Sequence, residues 1–320
     1  MDAHIAPLER PAVVAGEWPD LTPFIPDADP SSPEFVRAAA RFGRHLPPAI
    51  HDALVDFADQ PPAAGAIVLA GLPVGQLPAT PPSPWVPIDK DRTSEFVLLA
   101  VARRLGHPMG YSAESRGVLA PSIVPTPNET YRQVSTSSDV ELVFHTEGSY
   151  AHHKPRYLAL LCLRGDPAAA TTLAPTAHIL RHLDEHTRQV LAQPRFRIAV
   201  DETYVPAGET RHTPPLAALN GDPDDPRIVF DADLMEGLDP EAHDAFLRLC
   251  DAAVASRIDV VLEGGQMLLI DNHRAAHGRS AFTPRFDGTD RWMQRCFVMA
   301  DPSISDGQRD GRVITRPFGT

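Results

Sequence analysis

Residues 266–300 read QMLLIDNHRAAHGRSAFTPRFDGTDRWMQRCFVMA, and this stretch decides the fold class that we expect. It begins and ends with short apolar runs, QMLLIDN and RCFVMA, which have the length of strands. Two similar runs precede it, RYLALLCL at 156–163 and RIDVVLEG at 257–264. Long connections rich in Pro, Gly and Asp separate these runs. The chain beyond residue 150 is therefore predicted to be mainly β-sheet.

Helical periodicity surrounds this predicted sheet. Apolar residues recur every three or four positions in SPEFVRAAARFGRHL (32–46) and TSEFVLLAVARRLG (93–106), with Ser or Thr ahead as an N-cap. Two further helices are expected at 176–193 and 239–256, where they interrupt the strands. The first ninety residues are expected to be mostly helical and loop scaffold, with one short strand in AGAIVLAGLPV, and the 320 residues to form a single domain.

Composition narrows the possible partners. A hydrophobic content of 43% supports a substantial core, and a net charge of -13 argues against nucleic acid as a partner. The three cysteines lack C-x-x-C spacing and predict neither a disulfide framework nor a zinc site, which favours a reducing cytoplasm. The N-terminus lacks a basic start and an apolar run, and no window approaches the ~18 apolar residues that span a bilayer. We expect a soluble protein with no membrane partner.

The segment 201–225 is rich in Pro, Gly and charged residues and has no strand or helix pattern. Long connections of this kind are often functional. We expect it to be a mobile lid beside a site.

A metal site is indicated by ELVFHTEGSY, residues 141–150. If this segment is extended, His145 and Glu147 project from the same face, so an imidazole and a carboxylate converge. A second histidine would complete the facial triad that leaves iron positions open. His277, just after the strand-like MLLIDN, is the candidate because a strand end presents it from a rigid edge.

The triplet H-x-E also arises by chance, and other interpretations stay open. His145 could be a hydrogen-bonded core histidine, with Glu147 a solvated carboxylate in a non-enzymatic β-sandwich. Zinc hydrolases and cupins use the same ligand types as well.

Two arginines favour an oxygenase. Arg291 and Arg295 follow His277 by 14 and 18 residues on a strand-like stretch, where they would share a face. A dicarboxylate that chelates iron through its keto-acid end leaves a second carboxylate free, and a guanidinium binds such a group through two hydrogen bonds. Arg291 would fill that role, and Arg295 could hold a substrate carboxylate. Either arginine could instead form a surface ion pair.

Five motifs in order resemble the clavaminate synthase-like branch of the iron(II)/2-oxoglutarate dioxygenases, which includes arginine and asparagine β-hydroxylases of antibiotic pathways. They are the HTE triplet, RYLALLCLR, ATTL, DDPRIVFDADLM and IDNHRAAHGRSAFTPRFDGTDRWMQR, within about residues 95 to 300. The resemblance implies a distorted double-stranded β-helix (a jelly roll) with flanking helices. It also implies Fe(II), 2-oxoglutarate and O2 as cofactor and co-substrates.

The resemblance also implies roles for individual residues. Iron is expected at His145, Glu147 and His277, and 2-oxoglutarate at Arg291 with help from the Thr172 hydroxyl. The substrate's carboxylate is expected at Arg295, its amine near Glu114, and a basic side chain at Asp231 and Asp233. Two aspartates at i and i+2 of a strand face one way and can grip a guanidinium, although D-x-D is also common in turns.

The implied activity is hydroxylation of a free L-amino acid or derivative, with arginine-like substrates favoured. Desaturation or oxidative cyclisation by the same cofactor chemistry is an alternative, and a zinc-dependent hydrolase is an alternative of another class. Halogenation is not expected because halogenating relatives replace the metal carboxylate and Glu147 is present. Gly148 departs from the family pattern, in which an acidic or bulkier residue follows the triplet.

Overall fold

Two β-sheets face each other at the centre of the molecule. The computed structural model describes residues 8, 11–201, 204–205 and 208–316. Within these residues the strands, in chain order, are β1 (Val13–Val14), β2 (Ala66–Ala70), β3 (His107–Tyr111), β4 (Ser122–Ile123), β5 (Leu142–His145), β6 (Tyr157–Arg164), β7 (Thr171–Pro175), β8 (Phe196–Ile198), β9 (Leu219–Asp222), β10 (Asp225–Ile228), β11 (Met235–Gly237), β12 (Ile258–Val260), β13 (Met267–Asp271), β14 (Ala275–Arg279), β15 (Trp292–Met299), β16 (Arg309–Asp310) and β17 (Val313–Ile314).

Helices cover the outer faces of both sheets. They are α1 (Pro33–Phe42), α2 (Pro48–Asp59), α3 (Thr93–Leu105), α4 (Thr176–Ile179), α5 (Glu185–Leu191) and α6 (Pro240–Ala255). The larger sheet has the order β1-β2-β13-β6-β15-β3-β17-β16, with β4 also paired to β15. The smaller sheet has the order β12-β7-β14-β5. The stretch 266–300 therefore crosses from the larger sheet to the smaller and back, as in the expected jelly-roll core.

Side-chain alternation along the strands builds three apolar layers. Leu173 and Met293 point into the layer between the sheets. Their chain neighbours Ala174 and Trp292 point outward, into the layers that pack on α6 and on α1 to α3 respectively. The strands β6, β13 and β15 are buried on both faces, which explains why their sequences are continuous apolar runs rather than alternating ones.

Most of the predicted elements are confirmed, and three differences have local causes. The helix expected over 176–193 breaks after a short turn, because Leu183 and Asp184 are extended and Asp184 caps α5 by accepting from the Thr187 N–H. Thr93 does not cap α3; Arg92 holds the N-cap position without a side-chain bond. The N-terminal scaffold supplies an unexpected strand, β1, which pairs with β2, the strand expected in AGAIVLAGLPV.

Two general features concern the cysteines and the helices. Cys162, Cys250 and Cys296 are free thiols. Among the residues that the structure describes, we find no α-helix with both the length and the apolar content needed to cross a bilayer.

Phe96 provides a test of the packing between α3 and α1. Its ring is fully buried and lies 5.8 Å from the Phe35 ring and 5.3 Å from the Phe42 ring, centroid to centroid. Phe96→Ala is expected to lower the free energy of unfolding by about 3–5 kcal/mol, because it removes these contacts and leaves a cavity. Urea unfolding measures this, with exposed Leu247→Ala as the control. A loss as small as that of the control would contradict the packing described.

Candidate active site

Two histidines from neighbouring strands meet across the smaller sheet. His145 is the last residue of β5, and His277 lies in the middle of β14, directly opposite it in the strand register. Their ring centroids are 4.5 Å apart. One carboxylate oxygen of Glu147 lies 3.7 Å from His277 Nε2. Ligand atoms of all three side chains fall within 4.8 Å of one another, so the structure brings the predicted triad together.

The elements that carry these three residues differ from those predicted. β5 ends at His145, and Glu147 lies in the following turn rather than on the same strand. Gly148, at φ +62°, allows that turn, because a residue with a Cβ is strained in the left-handed region. His277 does not lie at the end of the MLLIDN strand. The chain turns after Asn272, and His277 belongs to the next strand, β14.

The triad fits a divalent metal. His145 Nδ1 lies 2.9 Å from the Val143 carbonyl oxygen, which leaves Nε2 free as a ligand. Burial, followed by the nearby His145, lowers the pKa of His277 to about 4, so its imidazole is neutral and has a lone pair to donate. Burial disfavours ionisation of Glu147, but Arg295 and the two histidines outweigh it and lower the pKa of Glu147 to about 2. Two imidazoles and a carboxylate are the donor set of a facial triad.

Asn272 fixes the backbone beside the triad and was missed in the sequence. Its side chain accepts from the Glu147 N–H at 2.7 Å and donates to the Glu147 carbonyl oxygen at 3.0 Å. It also donates to the Pro155 carbonyl oxygen at 3.0 Å. The only signal in the sequence was its position directly after a strand-like run, five residues before His277.

Asn272→Ala is expected to weaken iron(II) binding by about 10–100-fold, the usual effect of removing a group that orients a metal ligand. Anaerobic iron(II) titration gives the affinity, and thermal unfolding reports any separate loss of stability. Asn220→Ala is the matched control, because Asn220 is exposed and caps only the Ala217 carbonyl. Unchanged iron affinity in Asn272→Ala would show that this side chain does not hold Glu147 in place.

Arg291 lies between the two sheets, and its hydroxyl partner is Thr171. Arg291 Nη2 donates to Thr171 Oγ1 at 3.2 Å, and both residues are buried. Thr172 was the expected partner, and the structure instead places the neighbouring residue beside Arg291. Thr172 shares its face of β7 with Ala174, away from the space between the sheets, and its buried hydroxyl has no hydrogen-bond partner among the described residues. A shift of one position along a strand changes the face.

A cavity of about 930 Å³ opens beside the triad, and His145, Glu147 and Arg295 are among the residues that line it. Arg295 lies between Met293 and Phe297 on the inner face of β15 and stacks on the Phe297 ring at 4.3 Å. Arg295 donates to Glu114 and lies 3.7 Å from a Glu147 oxygen. The structure thus places both predicted residues, Arg295 and Glu114, together at the cavity wall.

The predicted aspartates also line the cavity, but they do not lie on a strand. Asp231 begins a turn and caps it, since its Oδ1 accepts from the N–H groups of Asp233 and Leu234. Its Oδ2 accepts from the Ser149 hydroxyl at 3.3 Å. Asp233 is exposed. The geometric reason given for their pairing is therefore wrong, although both side chains reach the same cavity.

The two ends of the segment 201–225 lie in different places, and only the first borders the cavity. Its first part contributes described residues to the cavity lining: Asp201, Tyr204, Val205, Gly208, Glu209 and Thr210. The Tyr204 hydroxyl donates to Glu114 at 3.1 Å, a contact that the sequence did not suggest. The last part forms the hairpin β9–β10, which is not among the lining residues. Residues 202–203 and 206–207 lie outside the described residues, and the lid stays a prediction.

A jelly-roll core that carries two histidines and one carboxylate at the edge of an open cavity defines a metal-dependent oxygenase of the non-haem iron class. The chain belongs to the taurine catabolism dioxygenase TauD, TfdA family, whose model matches residues 88–297. It is an iron(II)- and 2-oxoglutarate-dependent dioxygenase, as the resemblance implied.

Similar proteins lie within the clavaminate synthase-like branch. The chain is 35% identical to L-lysine 3-hydroxylase of Catenulispora acidiphila, over 89% of this chain and 82% of that protein. It is 33% identical to clavaminate synthase 2 of Streptomyces clavuligerus, over 92% of both chains. A solved structure of asparagine oxygenase with Fe(II), 2S,3S-3-hydroxyasparagine and succinate superimposes with a TM-score of 0.84, at 33% identity, over 90% of this chain and 92% of that one.

Proposed function

We propose that this enzyme hydroxylates a carbon atom of a free L-amino acid or close derivative, with arginine-like side chains favoured. In this proposal His145, Glu147 and His277 hold iron(II), and Arg291 with Thr171 binds the distal carboxylate of 2-oxoglutarate. Two similar proteins support the substrate class by their names, because one acts on lysine and the other on asparagine. The name of clavaminate synthase supports a natural-product pathway.

The observation that carries the proposal is the pair formed by Arg295 and Glu114 at the cavity wall. A free amino acid presents one carboxylate and one ammonium group close together. A guanidinium and a carboxylate that are already neighbours provide the complementary charges, Arg295 for the carboxylate and Glu114 for the ammonium. Arg295 is only 3.7 Å from Glu147, so a substrate held there lies next to the metal ligands.

Asp231 and Asp233 would select the side chain. The carboxylate of Asp231 is buried, and burial raises its pKa, which the neighbouring His145 opposes. A cationic substrate group would favour the ionised form and would donate to Oδ2 in place of the weaker Ser149 hydroxyl. These two aspartates therefore favour a guanidinium or ammonium over a neutral side chain.

Iron(II), 2-oxoglutarate and O2 together supply the oxidising chemistry of this family, in which 2-oxoglutarate becomes succinate and CO2 as the substrate is oxidised. The chain's own residues orient the substrate. Arg295 and Glu114 fix the backbone end of the amino acid, and the aspartates fix the other end. The carbon atom between these anchors is the one placed closest to the triad.

Family membership decides against the zinc hydrolase and against a non-enzymatic β-sandwich. Desaturation or cyclisation would use the same site, and the mass of the product separates these outcomes. Hydroxylation adds one oxygen atom, whereas desaturation and cyclisation remove two hydrogen atoms.

A panel of free amino acids tested for succinate release is the direct experiment, and arginine-like substrates are expected to give the highest coupled rate. Asp231→Asn keeps Oδ1 as the acceptor of the turn but removes the charge. It is expected to raise the KM for arginine about 10–100-fold, the effect of losing a charge-assisted hydrogen bond. The KM for a neutral amino acid serves as the internal control. An equal change for basic and neutral substrates would refute selection by Asp231.

A further inference from the structure

Arg279 is a buried cation to which the proposed reaction assigns no role. It lies two residues after His277 on β14, and so on the same face of the smaller sheet. Its partner in the strand register is Thr171, whose hydroxyl accepts from Arg291. Arg279, Thr171 and Arg291 are therefore consecutive neighbours on the side of the sheet that carries the metal-binding histidines.

The hydrogen bonds of Arg279 are made to neutral groups. Its two terminal nitrogens donate to the Ser138 carbonyl at 3.3 Å, the Ser137 hydroxyl at 2.9 Å and the Val140 carbonyl at 2.9 Å. Its Nε, although buried, has no acceptor among the described residues. These bonds hold the loop before β5, but a loop held by carbonyl and hydroxyl oxygens does not require a charged donor.

Neither Arg279 nor Arg291 forms an ion pair with a carboxylate in the part of the chain that the structure describes. Arg279 is 4% exposed and Arg291 is 8% exposed. A guanidinium stays protonated in proteins, so both groups are cations. Asp139 and Glu141 act on Arg279, and Asp166 acts on Arg291, only from beyond ion-pair distance. Two buried like charges without a contacting carboxylate among the described residues are costly, and an anion bound between them relieves that cost.

We propose that Arg279 supplies a second positive charge, beside Arg291, to the distal carboxylate of 2-oxoglutarate. This inference rests on the proposed binding of that carboxylate by Arg291 and Thr171. It assigns Arg279 a part in discriminating a dicarboxylate from a monocarboxylate 2-oxo acid. The unpartnered Nε is the donor available to the carboxylate.

A comparison of two ligands separates this role from a structural one. 2-Oxopentanoate keeps the 2-oxo acid of 2-oxoglutarate and lacks its distal carboxylate. Dissociation constants are measured anaerobically by calorimetry on the full chain. Mn(II) replaces iron(II) in this measurement because it is not readily oxidised. Arg279→Met is expected to weaken 2-oxoglutarate about tenfold or more, the value of one charge-assisted contact, and to leave 2-oxopentanoate within about twofold.

Ser137→Ala is the matched control, because it removes one hydrogen bond between Arg279 and the loop before β5 and removes no charge. It is expected to change the affinity for neither ligand by more than about twofold. If Arg279→Met does not fold, Arg279→Lys and Arg279→Gln replace it, since lysine keeps the charge and glutamine keeps only hydrogen bonding. Lysine is expected to retain tighter 2-oxoglutarate binding than glutamine.

Equal weakening of both ligands in Arg279→Met, or equal 2-oxoglutarate affinity in the lysine and glutamine variants, would overturn the inference and leave Arg279 as a loop anchor. Arg291→Met is measured in parallel. If Arg291→Met binds 2-oxoglutarate as tightly as the wild type, the proposed co-substrate site itself fails. A selective loss in Arg291→Met without one in Arg279→Met overturns only the role of Arg279.

Discussion

His277→Ala is expected to abolish substrate-dependent succinate formation, with a rate loss of roughly a thousandfold or more. His277 is one of the three side chains proposed to bind the metal, is buried, and lies opposite His145 in the strand register. Its removal leaves two ligands, too few to hold iron in the facial arrangement. A loss of about 4 kcal/mol in stabilisation of the reaction corresponds to that factor.

The same variant separates metal binding from folding. Iron(II) affinity should fall together with activity, while the far-ultraviolet circular dichroism should stay that of the wild type. His152→Ala is the matched control, because His152 is exposed and does not line the cavity. Full activity of His277→Ala with iron(II) would show that the triad is assigned to the wrong histidine.

Arg291→Met is expected to raise the KM for 2-oxoglutarate about 100-fold or more and to change the KM for the amino acid little. Arg291 is buried between the sheets and is not among the residues that line the large cavity. Removing one partner of a buried ion pair costs about 3–5 kcal/mol, because the other charge is left uncompensated. Steady-state succinate assays with each substrate varied in turn measure both constants.

Thr171 and Thr172 form a matched pair for this site. Thr171→Val removes the hydroxyl that accepts from Arg291 and is expected to raise the KM for 2-oxoglutarate about tenfold. Thr172→Val replaces a buried hydroxyl that has no partner among the described residues, so KM should not change and stability should not fall. The reverse order of effects would restore Thr172 as the co-substrate residue.

The fold class and the identity of the metal ligands could be predicted because their signals are local or carry strong chemistry. Apolar runs of strand length and the 3.6-residue period of α1, α3 and α6 are visible without neighbours. His145, Glu147 and His277 belong to the few residue types that bind iron. A dicarboxylate co-substrate, in turn, requires a guanidinium such as Arg291.

What could not be predicted depends on distant contacts or on a single step of register. Which of Thr171 and Thr172 points into the space between the sheets depends on the pairing of β7 with β14. The sequence of either strand alone does not fix that pairing. Asn272 acts on Glu147 across 125 positions of the chain. The contact between Arg295 and Glu114 spans 181 positions. D-x-D left both a strand and a turn open, and only the structure shows the turn at Asp231.

The most direct measurement is anaerobic addition of iron(II) and 2-oxoglutarate, followed by visible absorption spectroscopy. Binding of both by the triad and the Arg291 pocket predicts the weak charge-transfer band of the iron chelate, which His277→Ala should lack and Arg291→Met should show only at higher 2-oxoglutarate concentrations. A wild-type protein without this band would contradict the assignment of His145, Glu147 and His277 as the iron site.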